Sequence, residues 1–172
     1  MDNNMLIYEN EKIFGLRKIL LMICCLALPL GVGMLSAYLT KSNMMVFDYI
    51  KKPMLTPPSI VFPIAWTILY ILMGLASYFA IIECKESNQA IYVMYPYIIQ
   101  LILNFMWSIV FFNYQRYDIA FVVLIFMWIM VLRTMIFFGT LNQINYYLLT
   151  PYLLWTSFAG YLNLMIVVLN PR

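Results

Sequence analysis

Three polar side chains recur at every fourth position of one long apolar segment, and they are the first candidates for chemistry. They are Gln100, Asn104 and Ser108, and this spacing places them on one face of a helix. Amides and hydroxyls in apolar surroundings need hydrogen-bond partners. Two interpretations fit: they join neighbouring helices through bonds of about 0.6 to 2 kcal/mol each, or they contact the polar part of a ligand held among the helices.

Two further apolar segments each carry an aromatic face. Trp66 and Tyr70 are one helical turn apart in the first, and Trp155, Ala159 and Asn163 follow the same spacing in the second. Taken singly, each face is typical of core packing. Together with the polar face they predict a pocket that is mostly aromatic with a few polar anchors, which is the usual composition of a small-molecule site.

Other kinds of chemistry have little support in the sequence. The chain has no histidine, and Cys24, Cys25 and Cys84 have neither the spacing of metal ligands nor that of a disulfide framework. The apolar segments contain no nucleophile paired with a base, no carboxylate pair and no phosphate-binding loop. We therefore expect no metal site, no required cofactor and no conventional hydrolase or transferase.

The elements that must position these residues are transmembrane helices. Of the 172 residues, 65% are hydrophobic and 10% charged, whereas about a quarter of an ordinary soluble domain is charged. A spanning helix needs about 20 mostly apolar residues, and five such segments occur. The predicted spans are residues 19–40, 59–82, 90–113, 119–138 and 146–169. The fold class is thus an all-α membrane protein, a five-helix bundle in a lipid bilayer that forms one domain over residues 1–172.

One ionisable side chain, that of Arg133, lies well inside the fourth predicted span. An arginine is expensive in hydrocarbon and normally faces a partner or a water-filled cavity. Alternatively, its long side chain extends to the membrane surface while the stem stays in lipid. The sequence leaves both interpretations open.

The segments outside the spans are short, and the longest is the loop of residues 41–58. A long polar loop in a compact protein often serves function. Tyrosines collect at membrane interfaces, so we expect several to lie there. These tyrosines are Tyr92, Tyr95, Tyr97, Tyr146 and Tyr147.

The net charge of +3 comes from basic residues spread thinly over the chain. Because there is no basic run or basic helix face, nucleic acid is not an expected partner. The start of the chain carries Asp2, Glu9 and Glu11, which is unlike the composition of a mitochondrial transit peptide. We therefore expect an integral protein of a prokaryotic plasma membrane.

The segment KKPMLTPPSIVFPIAWTILYILMGLA, residues 51–76, resembles the loop and second helix of the translocator protein family, also called TspO/MBR or tryptophan-rich sensory proteins. The shared pattern is K-P-x-x-x-P-P followed by F-P-x-x-W-T-x-L-Y-x-x-M-G. The resemblance continues through QLILNFMWSIVFF, residues 100–112, and PYLLWTSFAGYLNLMIVVLN, residues 151–170. It extends to the layout of five spans.

The resemblance implies a five-helix bundle, often a homodimer, that binds porphyrins such as protoporphyrin IX, other hydrophobic small molecules and, in mitochondrial members, cholesterol. By motif position, Trp66 and Trp155 match two tryptophans that the family places at its ligand cavity. Asn104 and Ser108 match its polar positions on helix 3. Pro57 and Pro58 match prolines that shape the loop over the cavity, so residues 41–58 are predicted to be a lid.

This sequence departs from the family pattern in the lid. The tryptophan-tyrosine pair of the family appears here as Val46 and Phe47, and the tryptophan of its K-P-S-W appears as Leu55. Stacking of aromatic rings contributes about 0.5–1.5 kcal/mol beyond area burial. We therefore expect a lid that lacks two aromatic rings and contributes less to porphyrin binding or porphyrin photochemistry.

The hypothesis that combines these observations is a membrane receptor for a tetrapyrrole or similar hydrophobic molecule, with a regulatory or sensory role. The site residues are expected to be Trp66, Tyr70, Asn104, Ser108, Trp155, Ala159, Pro57 and Pro58. The absence of histidine favours a metal-free porphyrin as the ligand. Two alternatives are an enzyme that degrades porphyrin oxidatively in light, with indoles as electron donors, and a transporter of such ligands.

Overall fold

The computed structural model describes residues 3–43, 45–84 and 87–171, and for residues 3–13, 46, 48 and 87 it describes the backbone only. Met44 of the predicted lid and the turn residues Lys85 and Glu86 lie outside the described residues. The same holds for Asp2 and for the side chain of Val46.

The described chain is built from helices joined by short connections. The helices are α1 (Asn3–Thr40), α2 (Val46–Tyr49), α3 (Val61–Glu83), α4 (Ser87–Ser108), α5 (Tyr117–Leu141) and α6 (Ile144–Leu169), and α4 continues into a π-helical turn at Ile109–Asn113. Five stretches are long and apolar enough to cross a membrane. They are Phe14–Thr40, Val61–Glu83, Asn88–Asn113, Tyr117–Leu141 and Ile144–Leu169. The predicted bundle of five spanning helices is thereby confirmed.

Small residues allow α1 and α3 to touch. A Cβ at Gly74 would lie 2.8 Å from the Cα of Leu26 and 2.9 Å from the carbonyl oxygen of Cys25. Because both of these atoms belong to backbone, only glycine fits at this point of contact. Nearer the end of α1, Gly33 leaves the space that the ring of Tyr70 occupies.

The core of the bundle is packed with large side chains. Tyr97, Tyr152 and Phe138 are almost completely buried, and the rings of Tyr97 and Phe138 lie 5.5 Å apart. The expectation that Tyr97 lies at a membrane interface is therefore wrong, because its position on α4 faces α5 and not lipid. By contrast, Tyr92, Tyr95 and Tyr147 are exposed on the outer surface, as expected of interfacial residues.

Candidate ligand-binding site

A cavity of about 460 Å³ lies among the helices at the end of the bundle where α1 ends and α3 begins. This volume falls within the range of small-molecule sites, about 300–1,000 Å³. The long helices contribute Leu30, Gly33, Met34, Ser36, Ala37, Thr40, Phe62, Pro63, Trp66, Thr67, Tyr70, Trp107, Ser108, Phe111, Phe112, Ala159, Leu162, Asn163 and Ile166, and the segment before α3, which includes the short helix α2, contributes Met45, Phe47 and Ser59. None of these residues is charged, so the lining favours a neutral, apolar ligand body.

One wall of the cavity is aromatic. The ring of Trp66 stacks on that of Tyr70, with centroids 5.6 Å apart and planes inclined by 28°. Trp107 lies 6.4 Å from Trp66, and Tyr152 meets the indole edge-on at 6.2 Å. Because Trp66 and Tyr70 are held on several sides, they present a fixed surface to the cavity.

A chain of hydrogen bonds anchors this wall from behind. The Tyr70 hydroxyl donates to Asn104 Oδ1 at 2.9 Å, and Asn104 Nδ2 donates to the Tyr152 hydroxyl at 3.4 Å. Tyr152 in turn donates to Gln100 Oε1 at 2.6 Å. Gln100 and Asn104 are each 1% exposed and do not line the cavity. Of the two interpretations of the polar face, joining helices is therefore the one that describes these two amides.

Ser108, the third residue of the polar face, does line the cavity. Its hydroxyl donates back to the carbonyl oxygen of Asn104 at 3.3 Å, so the hydroxyl oxygen retains acceptor capacity. A second polar connection lies beside it: Trp107 Nε1 donates to Asn163 Oδ1 at 3.0 Å, and Asn163 Nδ2 donates to the carbonyl oxygen of Tyr117 at 2.8 Å. The indole of Trp107 is thus fixed between α4 and α6.

We expect Asn104→Leu to destabilise the protein by about 1–3 kcal/mol, because the buried hydroxyl of Tyr70 would lose its acceptor. Unfolding in detergent, followed by circular dichroism, measures this change. The matched control is Ser108→Ala, which removes only a long bond to a carbonyl that already serves the helix and should cost much less. Equal stabilities of the two variants would contradict a central role for Asn104.

Not all predicted site residues come together. Trp66, Tyr70, Ser108 and Ala159 line the cavity, whereas Trp155 lies behind Phe62, with ring centroids 6.0 Å apart. The indole nitrogen of Trp155 is buried and has no hydrogen-bond partner among the described residues.

The two lid prolines are not part of the lining either. Pro57 and Pro58 belong to the turn that leads into α3, where the Pro58 carbonyl accepts a hydrogen bond from the backbone of Val61 at 2.9 Å. Their contribution is to the path of the chain and not to ligand contact.

The lid, residues 41–58, carries an aromatic ring into the cavity roof. Phe47 lies 5.7 Å from Phe62, 6.2 Å from Phe111 and 6.4 Å from Phe112, measured between ring centroids. The sequence predicted a lid that lacks two aromatic rings of the family pattern, and this lid retains the ring of Phe47 at the cavity. Leu55, in contrast, is 65% exposed and does not line the cavity.

Two asparagines hold the lid to the bundle. At its start, Asn113 donates to the carbonyl oxygen of Leu39 at 3.1 Å and accepts from Asn43 Nδ2 at 2.9 Å. Further along, Asn170 accepts from the backbone nitrogen of Lys51 at 3.0 Å and donates to its carbonyl oxygen at 2.9 Å. The side-chain amide of Asn170 therefore pairs with a lid residue as a second backbone would.

Exposed lining residues indicate an opening of the cavity between α1 and α3. Met34 and Ala37 on α1 and Pro63 and Thr67 on α3 line it and are exposed, whereas its lining residues on α6 are buried or half-buried. Met34 lies six residues before the end of α1, about 9 Å along the helix axis. Because Phe14–Thr40 is long and apolar enough to cross a membrane, we expect this opening to face the hydrocarbon region.

Several lining residues were not predicted from the sequence. Trp107 lies three positions after Asn104 and so shares its helix face, a signal that could have identified it. Phe62, Phe111 and Phe112 carry no such signal, because phenylalanine is common throughout a membrane protein. Phe47 reaches the cavity only through the fold of the lid.

The fold and the cavity define a class of protein: a five-helix integral membrane protein with an uncharged, aromatic pocket beneath a loop. The sequence profile of the TspO/MBR family matches residues 25–169, and the chain belongs to this family.

Individual relatives cover most of the chain. It is 36% identical over 156 residues to the tryptophan-rich protein TspO of Chlorobaculum tepidum, covering 90% of this chain and 99% of that protein. It is 39% identical over 124 residues to the tryptophan-rich sensory protein of Cereibacter sphaeroides, covering 72% and 76%. The translocator protein of Bos taurus is 32% identical over 138 residues, covering 79% and 82%.

Proposed function

We propose that the protein binds a planar, largely apolar small molecule of the porphyrin class in the cavity beneath the lid, in a receptor or sensory role. The observation that carries the proposal is the stacked pair of Trp66 and Tyr70 on the wall of an uncharged cavity. A flat ring system can stack on this pair, and its burial would supply about 25 cal/mol for each Å² of apolar surface removed from water. Bacterial relatives support a plasma-membrane location.

The residues of the chain limit which porphyrins fit the cavity. No histidine occurs in the chain, so an iron porphyrin would lack the commonest axial donor, and a metal-free ring fits better. Ser108 can accept one hydrogen bond from the ring. The carboxylates of a porphyrin would remain near the lid, which carries the positive charge of Lys52. Lys52 Nζ lies 4.5 Å from the centroid of the Phe47 ring, which lines the cavity.

The proposal is tested by titrating protoporphyrin IX into the purified protein and following the porphyrin absorption band. Trp66→Phe reduces the stacking surface, and we expect affinity to fall about threefold to tenfold. Trp155→Phe should change affinity little, because this indole lies outside the cavity. Trp128→Phe is a second control, since Trp128 donates its indole N–H to Ser157 at 2.8 Å and does not line the cavity. Saturable binding that is equal in all four proteins would refute the proposed site.

Turnover of the bound porphyrin is a second candidate, supported by the contact of Trp66 with Tyr70, Trp107 and Tyr152. These rings are the side chains that most readily lose an electron. Parallel incubations with protoporphyrin in air, in light and in darkness, separate the two functions. A product spectrum that forms in light and disappears in Trp66→Phe supports turnover, whereas unchanged porphyrin supports binding alone.

A further inference from the structure

Arg133 belongs to a lipid-facing stripe of α5. Ile125, Ile129 and Ile136 are exposed on this helix at intervals of three or four residues, and Arg133 is exposed at the same spacing. This periodicity places its side chain on the outer surface of the bundle and not in the internal cavity. The arginine is therefore not part of the site beneath the lid.

The guanidinium of Arg133 rests on an aromatic platform. It lies 5.6 Å from the centroid of the Phe137 ring, and Phe137 stacks on Tyr92 of α4 with centroids 5.2 Å apart and planes inclined by 22°. Because Phe137 lies one turn nearer the end of α5, the side chain of Arg133 points toward the membrane surface opposite the lid. A cation within about 6 Å of a ring centroid is attracted to the ring face, and this contact holds the guanidinium beside Phe137.

No carboxylate among the described residues neutralises this charge. Arg116, at the lid end of the bundle, is paired with Asp118 at 2.8 Å, whereas the contact recorded for Arg133 within the described part of the chain is with the ring of Phe137. Glu83 lies at the same end of the bundle, and its carboxylate accepts a hydrogen bond from Asn142. An arginine within a membrane span normally pairs with a counter-charge or extends to the interface, where the bilayer supplies phosphate groups.

We propose that Arg133, Phe137 and Tyr92 form a binding site for the phosphate of an anionic phospholipid. The planar guanidinium donates two parallel hydrogen bonds to phosphate oxygens, while the lipid chains lie along the isoleucine stripe of α5. Tyr92 is 65% exposed, and its hydroxyl is available to the glycerol and headgroup region. This site does not depend on what the internal cavity binds.

Native mass spectrometry tests the site by titrating the detergent-solubilised protein with phosphatidylglycerol and with phosphatidylcholine of the same acyl chains. For the unsubstituted protein we expect the first phosphatidylglycerol to bind about fivefold tighter. In Arg133→Gln the two lipids should bind equally. Arg133→Lys should keep part of the preference, because it retains the charge but not the planar fork.

Arg116→Gln is the matched control, since it removes one exposed arginine from the opposite end of the bundle and should leave the preference unchanged. Phe137→Leu keeps the charge but removes the platform, and we expect the preference to fall to about twofold. The proposal is overturned if the unsubstituted protein shows no preference, if Arg133→Gln and Phe137→Leu both retain it, or if Arg116→Gln loses as much as Arg133→Gln.

Discussion

Gly74→Val is expected to destabilise the bundle by about 1–3 kcal/mol or more and to abolish ligand binding. A Cβ at this position would lie 2.8 Å from the Cα of Leu26, and backbone cannot move aside as a flexible side chain can. The substitution therefore has to push α1 away from α3. Because both helices line the cavity, its wall separates with them. Unfolding in detergent and porphyrin titration measure the two effects.

Gly31→Val provides the control. A Cβ at Gly31 meets no atom within 4 Å, so a side chain there enters open space. Glycine is a poor helix former, and the variant should be as stable as the unsubstituted protein or slightly more so. If Gly74→Val and Gly31→Val were equally stable, α1 and α3 would not be in contact at Gly74 in the membrane.

Met34→Trp is expected to slow both ligand association and ligand dissociation about tenfold while leaving the equilibrium affinity nearly unchanged. Met34 is 73% exposed at the rim of the opening between α1 and α3, and a large rigid ring there obstructs the path from the bilayer. A residue that affects only the route by which the ligand enters and leaves changes the association and dissociation rates in equal proportion. Stopped-flow absorbance of protoporphyrin mixed with proteoliposomes gives both rates.

Two further variants distinguish the membrane opening from the lid. Leu35→Trp adds the same ring to the next position of α1, which faces away from the opening, and should not alter the rates. Asn170→Ala releases the lid from α6 by removing both hydrogen bonds to Lys51. If ligand came from water beneath the lid, Asn170→Ala would accelerate association and Met34→Trp would have no effect, which is the reverse of our expectation.

The five-helix architecture could be predicted from the sequence because it depends on the length of apolar segments alone. Helix packing was less predictable, as Tyr97 illustrates. A tyrosine near the end of a span suits a membrane interface and a helix core about equally. Only the rotation of α4 against α5, which places Tyr97 on Phe138, decides between them.

The candidate site was predicted in part. Trp66, Tyr70, Ser108 and Ala159 line the cavity because helical spacing brings them to inward faces. Trp155 follows the same spacing with Ala159, yet it packs behind Phe62. Phe62 lines the cavity and Trp155 does not, so helical spacing alone did not separate the two rings. No sequence pattern indicated the opening between α1 and α3, because it depends on how these two helices pack against each other around their contact at Gly74.

The role of Asn104 also needed the structure. Sequence alone left open whether the amide binds a ligand or joins helices, and the distance of 2.9 Å to the Tyr70 hydroxyl answers this. Its partner Tyr152 belongs to no sequence motif that would indicate a hydrogen bond between helices. Hydrogen-bond partners from different helices depend on three-dimensional register, which residue spacing within one helix does not contain.

The π-helical turn at Ile109–Asn113 is the last turn of the helix that begins as α4. Such a turn holds one residue more than an α-helical turn, so it takes up an extra residue within nearly one revolution of the helix. Asn113 closes this turn and is bonded to Leu39 and Asn43 at 3.1 and 2.9 Å. A relative one residue shorter in this segment would reach the same end point with a regular α-helical turn, and the lid would keep its fastening despite the change in length.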